Sequence, residues 1–175
     1  MDIPEDLKQG LNKHGLTKLQ TIGFCTIGSL HTFFSDRHKQ SVLLKIIPLT
    51  TPVPHDDLTK LAEARSKLAA LSHPTLPKLL DALVFEKIGA FVLIFEDFRQ
   101  EETVPLLEAE AGEKKKISWM AQLVEAFDYL HKSDIILNCA PADLYFVDNN
   151  KVYLADFGLG EHDLLPCVSL HDRLS

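Results

Sequence analysis

The sequence predicts an α+β fold, built as a small antiparallel sheet with one helix followed by a mainly helical part. Three observations carry this. The first half reads strand, strand, strand, helix, strand, strand. The second half opens on a long helical stripe and closes on short strands. And 175 residues, 46% of them hydrophobic, suffice for one domain with a real core.

Taken in order, Pro4 suits a first helical position, and Leu7 and Leu11 follow one turn apart, so residues 4–14 are expected as a short amphipathic helix. Strand signals then run from Leu16 to Ile47. Leu19 to Ile22 alternates, Leu30 to Phe34 is apolar and aromatic, and Ser41 to Ile47 is a buried-strand run. The turn Ser35-Asp36-Arg37-His38 separates the last two. Beyond Pro54, Asp56 and Asp57 favour the positive end of a helix, and Leu58, Leu61, Ala64, Leu68 and Leu71 recur at helical spacing until His73-Pro74. Strands at Leu83–Phe85 and Phe91–Phe95 flank the turn Lys87-Ile88-Gly89. Ile117, Met120, Leu123, Val124, Phe127 and Leu130 form the strongest helical stripe. Short strands are expected at Ile135–Leu137, Leu144–Val147 and Val152–Leu154. These signals divide the chain into an N-terminal helix (1–15), a sheet-bearing lobe (16–98) and a second part (99–175).

Composition narrows the functional classes. A formal net charge of −7 repels phosphate backbones and argues against nucleic acid as a partner. The run Lys114-Lys115-Lys116 reads as a solvated helix start. The longest apolar run, Ala90 to Phe95, is far short of the ~20 residues a membrane helix needs. Met1 to Asp6 is acidic and lacks the apolar core of a signal peptide. Three scattered cysteines, Cys25, Cys139 and Cys167, suggest reduced thiols and a cytoplasmic setting. No Cys/His cluster has zinc spacing.

Six segments carry candidate chemistry. Gly23 and Gly28 bracket a hairpin, with Cys25 between them. Lys45 interrupts the apolar strand Val42-Leu43-Leu44, where a buried cation requires a partner. Glu63 lies on the following helix, beside Ala64 of its apolar stripe. Phe91 to Phe95 leads into Glu96-Asp97-Phe98. Leu137-Asn138-Cys139-Ala140-Pro141-Ala142-Asp143-Leu144 follows the long helix. Finally, Asp156-Phe157-Gly158 follows an apolar strand. Each segment also has a plain reading: a hairpin turn, a strand-end lysine, a solvated surface glutamate, a core strand, a loop, an acidic turn.

In this order, over roughly residues 16–160, these segments resemble a eukaryotic-type protein kinase domain. The resemblance implies a five-stranded antiparallel N-lobe sheet with one helix that carries the lysine's carboxylate partner, then a partial C-lobe. It implies nucleotide binding by Gly23, Cys25, Gly28, Lys45, Glu63, Glu96 and Phe98, and metal binding by Asp156. Phe95 becomes a bulky residue at the back of the pocket. The pattern fails in the catalytic loop. Cys139 stands where the family keeps its catalytic aspartate, Pro141 replaces the lysine, and Leu144 replaces the magnesium-binding asparagine. No A-P-E sequence follows. The resemblance thus implies a pseudokinase, with ATP and magnesium bound weakly and a protein partner as its target. Two readings stay open beside it. One is an active Ser/Thr-type kinase of atypical mechanism, with Asp143 as a displaced base. The other is a truncated fragment or splice product without independent function.

Overall fold

The computed structural model describes residues 2–25, 27–135 and 144–157. Helix α1 (Glu5–Lys13) opens the chain, with Glu5 and Asp6 in its first turn and Lys13 in its last, the arrangement its dipole favours. Five strands follow: β1 (Leu16–Cys25), β2 (Gly28–Ser35), β3 (Gln40–Pro48), β4 (Leu79–Phe85) and β5 (Ala90–Glu96). Helix α2 (His55–Ala69) lies between β3 and β4 in the chain. The sheet order is β1-β2-β3-β5-β4, with every neighbouring pair antiparallel.

Strands β3 and β5 are largely apolar because both faces of the sheet are covered there. On one face Val42, Leu44, Ile46, Val92 and Ile94 meet Leu7 and Leu11 of α1. On the other, Leu43, Ile47, Leu93 and Phe95 join Leu61, Ala64 and Leu68 of α2. Period-two alternation along β3 therefore assigns each residue to one of two cores. It places Lys45 on the α2 face, paired in register with Leu30 and Leu93.

The second part contains β6 (Val104–Pro105), a short 3₁₀ turn (Leu106–Glu108), α3 (Glu113–Lys132), β7 (Tyr145–Val147) and β8 (Val152–Leu154). The last two strands and β6 form a small sheet of order β6-β7-β8. The expected apolar stripe on α3 needs correcting. The buried line is Trp119, Leu123, Ala126 and Leu130, and Trp119 and Leu123 pack on Val147 of β7 and Val152 of β8. Ile117, Met120 and Val124 are 67%, 57% and 61% exposed. The sequence reading had merged two adjacent lines of apolar residues, of which the tertiary structure covers one.

One core crosses both parts. Leu43 and Phe95 from the sheet and Leu68 from α2 share it with Leu130, Leu144, Phe146, Leu154 and Phe157. The loop between α2 and β4 reinforces the junction. Ser72 donates its N–H to Tyr129 Oη (2.8 Å), and Leu154 donates to Thr75 O (3.0 Å).

His31 of β2 is fully buried between Thr21 Oγ1, 3.1 Å from Nδ1, and Ser29 Oγ, 2.7 Å from Nε2. Burial, reinforced by the Lys18 charge, lowers its pKa from 6.5 to about 4. The fold therefore prefers the neutral ring. Below pH 6.5 the unfolded chain takes up a proton that the folded chain refuses until about pH 4. Stability is accordingly expected to fall with decreasing pH across that window, at up to ~1.4 kcal/mol per pH unit from this group. Urea midpoints at several pH values test this: His31→Gln should flatten the decline, and equal slopes in both proteins would refute it.

Candidate functional site

Lys45 and Asp156 are 111 residues apart and meet inside the core junction. Lys45 Nζ lies 2.5 Å from Asp156 Oδ1, with side chains only 3% and 6% exposed. Strand β3 supplies the cation. The carboxylate comes from the segment just after β8, which is fixed on both sides. Leu154 donates to Thr75 O and Ala155 donates to Leu144 O, each at 3.0 Å. Phe157 is buried against Phe95, ring centroids 5.5 Å apart. Two opposite charges removed from water carry a large desolvation cost, which their contact must offset.

This pairing replaces the one expected on α2. Glu63 is exposed, and its neighbour Ala64 faces the core. One residue along a helix turns a side chain by about 100°, so Glu63 leaves the interior and Lys45 takes its partner from residue 156.

The hairpin between β1 and β2 also differs in emphasis from a phosphate loop. Gly23 pairs with Leu30, and Cys25 pairs with Gly28 across the turn. Gly28 has φ +118°, and a Cβ there would sit 2.2 Å from Ile46 O. The need for glycine at this position thus already follows from the close approach of β3. Ile27, at the hairpin tip, is 3% exposed and belongs to the central core, whereas Phe24 is exposed. Ile27 is therefore packed inward. An isoleucine in a turn that would ordinarily be polar was the available sequence signal for this, and it was missed.

At the end of β5, Glu96 is exposed and donates its N–H to Lys78 O (2.9 Å). Asp97 accepts from Ser41 Oγ (2.8 Å) and from Arg99 Nε (3.1 Å). Phe98 stacks on Tyr153, centroids 4.5 Å apart and 14° from parallel, and leans on Phe146 at 5.7 Å. Beside this segment is a cavity of about 620 Å³, lined by His73, Lys78, Glu96, Asp97, Phe98 and Tyr153 among others. Burial holds the His73 ring below its ordinary pKa. Lys45, Asp156 and the hairpin do not line this cavity.

The structure therefore brings Lys45 and Asp156 together, places Gly23, Cys25 and Gly28 on the hairpin and Glu96 and Phe98 at the end of β5, and turns Glu63 outward. Leu144 is fully buried in the common core. Cys139, Asp143 and Gly158 lie outside the described residues. Among the described residues no cluster of three or more His, Cys, Asp or Glu side chains could hold a metal ion, and no helix is long and apolar enough to cross a membrane.

Removing one member of the buried pair should cost roughly 3–5 kcal/mol, since the other is left uncompensated. Asp156→Leu and Lys45→Met are each expected to lower stability by that order. The double variant should lose much less than the two losses combined. Chemical denaturation of all four proteins checks this, and additive losses would contradict it.

Residues 16–163 match the model of the protein kinase domain family. The chain is 30% identical over 93 residues to the phosphorylase b kinase gamma catalytic chain, liver/testis isoform, of Bos taurus, covering 51% of this chain and 22% of that protein. The counterpart from Homo sapiens matches to the same extent. Cell division control protein 2 homolog 3 of Trypanosoma brucei brucei is 28% identical over 155 residues, covering 85% of this chain and 48% of that one. The chain spans less than half the length of these curated relatives. With the five-stranded antiparallel sheet and helices α1 and α2 on its two faces, the chain belongs to the protein kinase domain family.

Proposed function

We propose that this chain is a catalytically impaired member of its family, a pseudokinase that acts as a regulatory or scaffolding module by binding a protein partner and keeps weak affinity for ATP and magnesium. One observation carries the reading. The buried Lys45–Asp156 pair stands in the same core as Leu144, and Leu144 occupies the place of the family's second metal ligand with a hydrocarbon side chain.

The residues present fit a triphosphate and its metal only in part. Lys45 supplies a cation for phosphate oxygens, and Asp156 supplies one carboxylate, as magnesium sites often require. Magnesium, when bound, would neutralise phosphate charge. Lys45 must share its charge between Asp156 and a phosphate, and the inward-packed Ile27 lies on the same side of the sheet. Both features lower net affinity, because binding exchanges existing contacts for new ones. Replacing the general base costs about 10²–10⁴ in rate, and loss of a metal ligand adds to that. Cys139 in the base position is therefore expected to leave little phosphoryl transfer.

Thermal unfolding with MgATP tests the proposal. At ligand about five times Kd the stabilisation is ~1 kcal/mol, or about 2–4 °C. Wild type should show this rise, and the Lys45→Met/Asp156→Leu double variant should not. ATP consumption should stay at background. Turnover abolished by Asp156→Asn would favour an active enzyme of atypical mechanism, and no shift in wild type would remove the nucleotide claim.

A further inference from the structure

Helix α1 is an addition to the family domain. The residues that match the family begin at 16, where β1 starts, and α1 precedes them. Its Leu7 and Leu11, with Ile3 just ahead of it, are buried on one face of the sheet. Among the described residues, that core shares no member with the one that joins the sheet to α2, α3 and the second sheet. The apolar contacts that tie the two parts of the chain together thus lie on the opposite face. As a helix α1 is weak. It has nine residues and no side-chain cap at its N-terminus, and isolated helices shorter than about 12–15 residues are marginal in water. Gly10 stands inside it, a further cost to helix formation. A Cβ at Gly10 would lie 2.8 Å from Phe85 Cε1, so the glycine serves the docked state by letting the helix settle on that ring. α1 therefore owes its structure to the sheet. It joins β1 through His14 and Gly15, and Gly15 has φ +73°, a conformation glycine adopts freely.

We propose that α1 is a strap that leaves the sheet as one unit while the rest of the chain stays folded, with the turn at His14-Gly15 as its hinge. Opening melts the helix and uncovers the apolar face formed by Phe33, Val42, Leu44, Val92 and Ile94. Burial of these side chains keeps the closed state dominant. The core that joins the two parts of the chain is untouched by the step, so opening is sub-global. The strap thus hides an apolar surface that an otherwise folded sheet presents only when α1 departs.

The Lys45–Asp156 site lies on the other face of the sheet, so the inference is independent of nucleotide binding. Native-state hydrogen exchange of the full 175-residue chain, followed by NMR in low urea, tests it. The reporters are amides protected by α1, among them Lys8, which donates to Pro4 O, and His14, which donates to Leu11 O. The amides of β5 serve as reference. The α1 amides should share one degree of protection and exchange at least about tenfold faster than those of β5. Their dependence on urea should be shallower, because opening exposes less surface than unfolding. Ile135→Val, a change in the other core, should quicken exchange in β5 about two- to tenfold. It should leave the α1 amides unchanged, since that core survives the opening. α1 amides that quicken together with β5 in Ile135→Val would overturn the proposal. So would protection graded from one end of α1 to the other, which marks fraying.

Discussion

The buried contact between Lys45 and Asp156 is the constraint on which the arrangement of this chain depends. A lysine in the middle of an apolar strand is tolerable only if its charge is answered. The answer comes from the far end of the described chain, 111 residues away. The segment after β8 must therefore stay against the sheet, and its hydrogen bonds to Thr75 and Leu144 keep it there. The common core running from Leu43 to Phe157 then follows as packing around a fixed crossing point.

Lys45 is satisfied within the protein itself, Ile27 packs inward, and Phe157 closes on Phe95. These interactions stabilise the fold at the place where a nucleotide is proposed to bind, and a ligand there would have to compete with them. Leu144 is fully buried in the same core, at the position where, in the reading proposed above, the family keeps a metal ligand.

Most of the fold was legible because its signals are local. The apolar runs of β3 and β5 and the Lys87-Ile88-Gly89 turn marked the strands, and the acidic start and leucine spacing marked α2. What failed was choosing among neighbours on a helix surface. On α3, Ile117, Met120 and Val124 look as buried in sequence as Leu123 and Leu130, and only the position of β7 and β8 decides between them. On α2 Glu63 was the candidate partner, while the stripe placed the family's slot one residue later at Ala64; the structure buries Ala64 and leaves Glu63 exposed. The family resemblance put Lys45 and Asp156 in one site, and the structure brings them together, but their direct pairing was not legible. Both residues were singled out for a ligand, and nothing in the spacing says that they contact each other. Long-range ion pairs leave no periodic trace.

The central claim is that the residue 45 ammonium is buried on the residue 156 carboxylate and is the group a triphosphate must capture. Nitrogen-detected NMR of the lysine side chains tests it most directly. A buried, hydrogen-bonded ammonium exchanges slowly and should give one resonance apart from those of the exposed lysines. That resonance should be lost in Asp156→Asn and should move on addition of MgATP. A Lys45 signal averaged among the solvent-exposed lysines, indifferent to residue 156 and to nucleotide, would contradict the account.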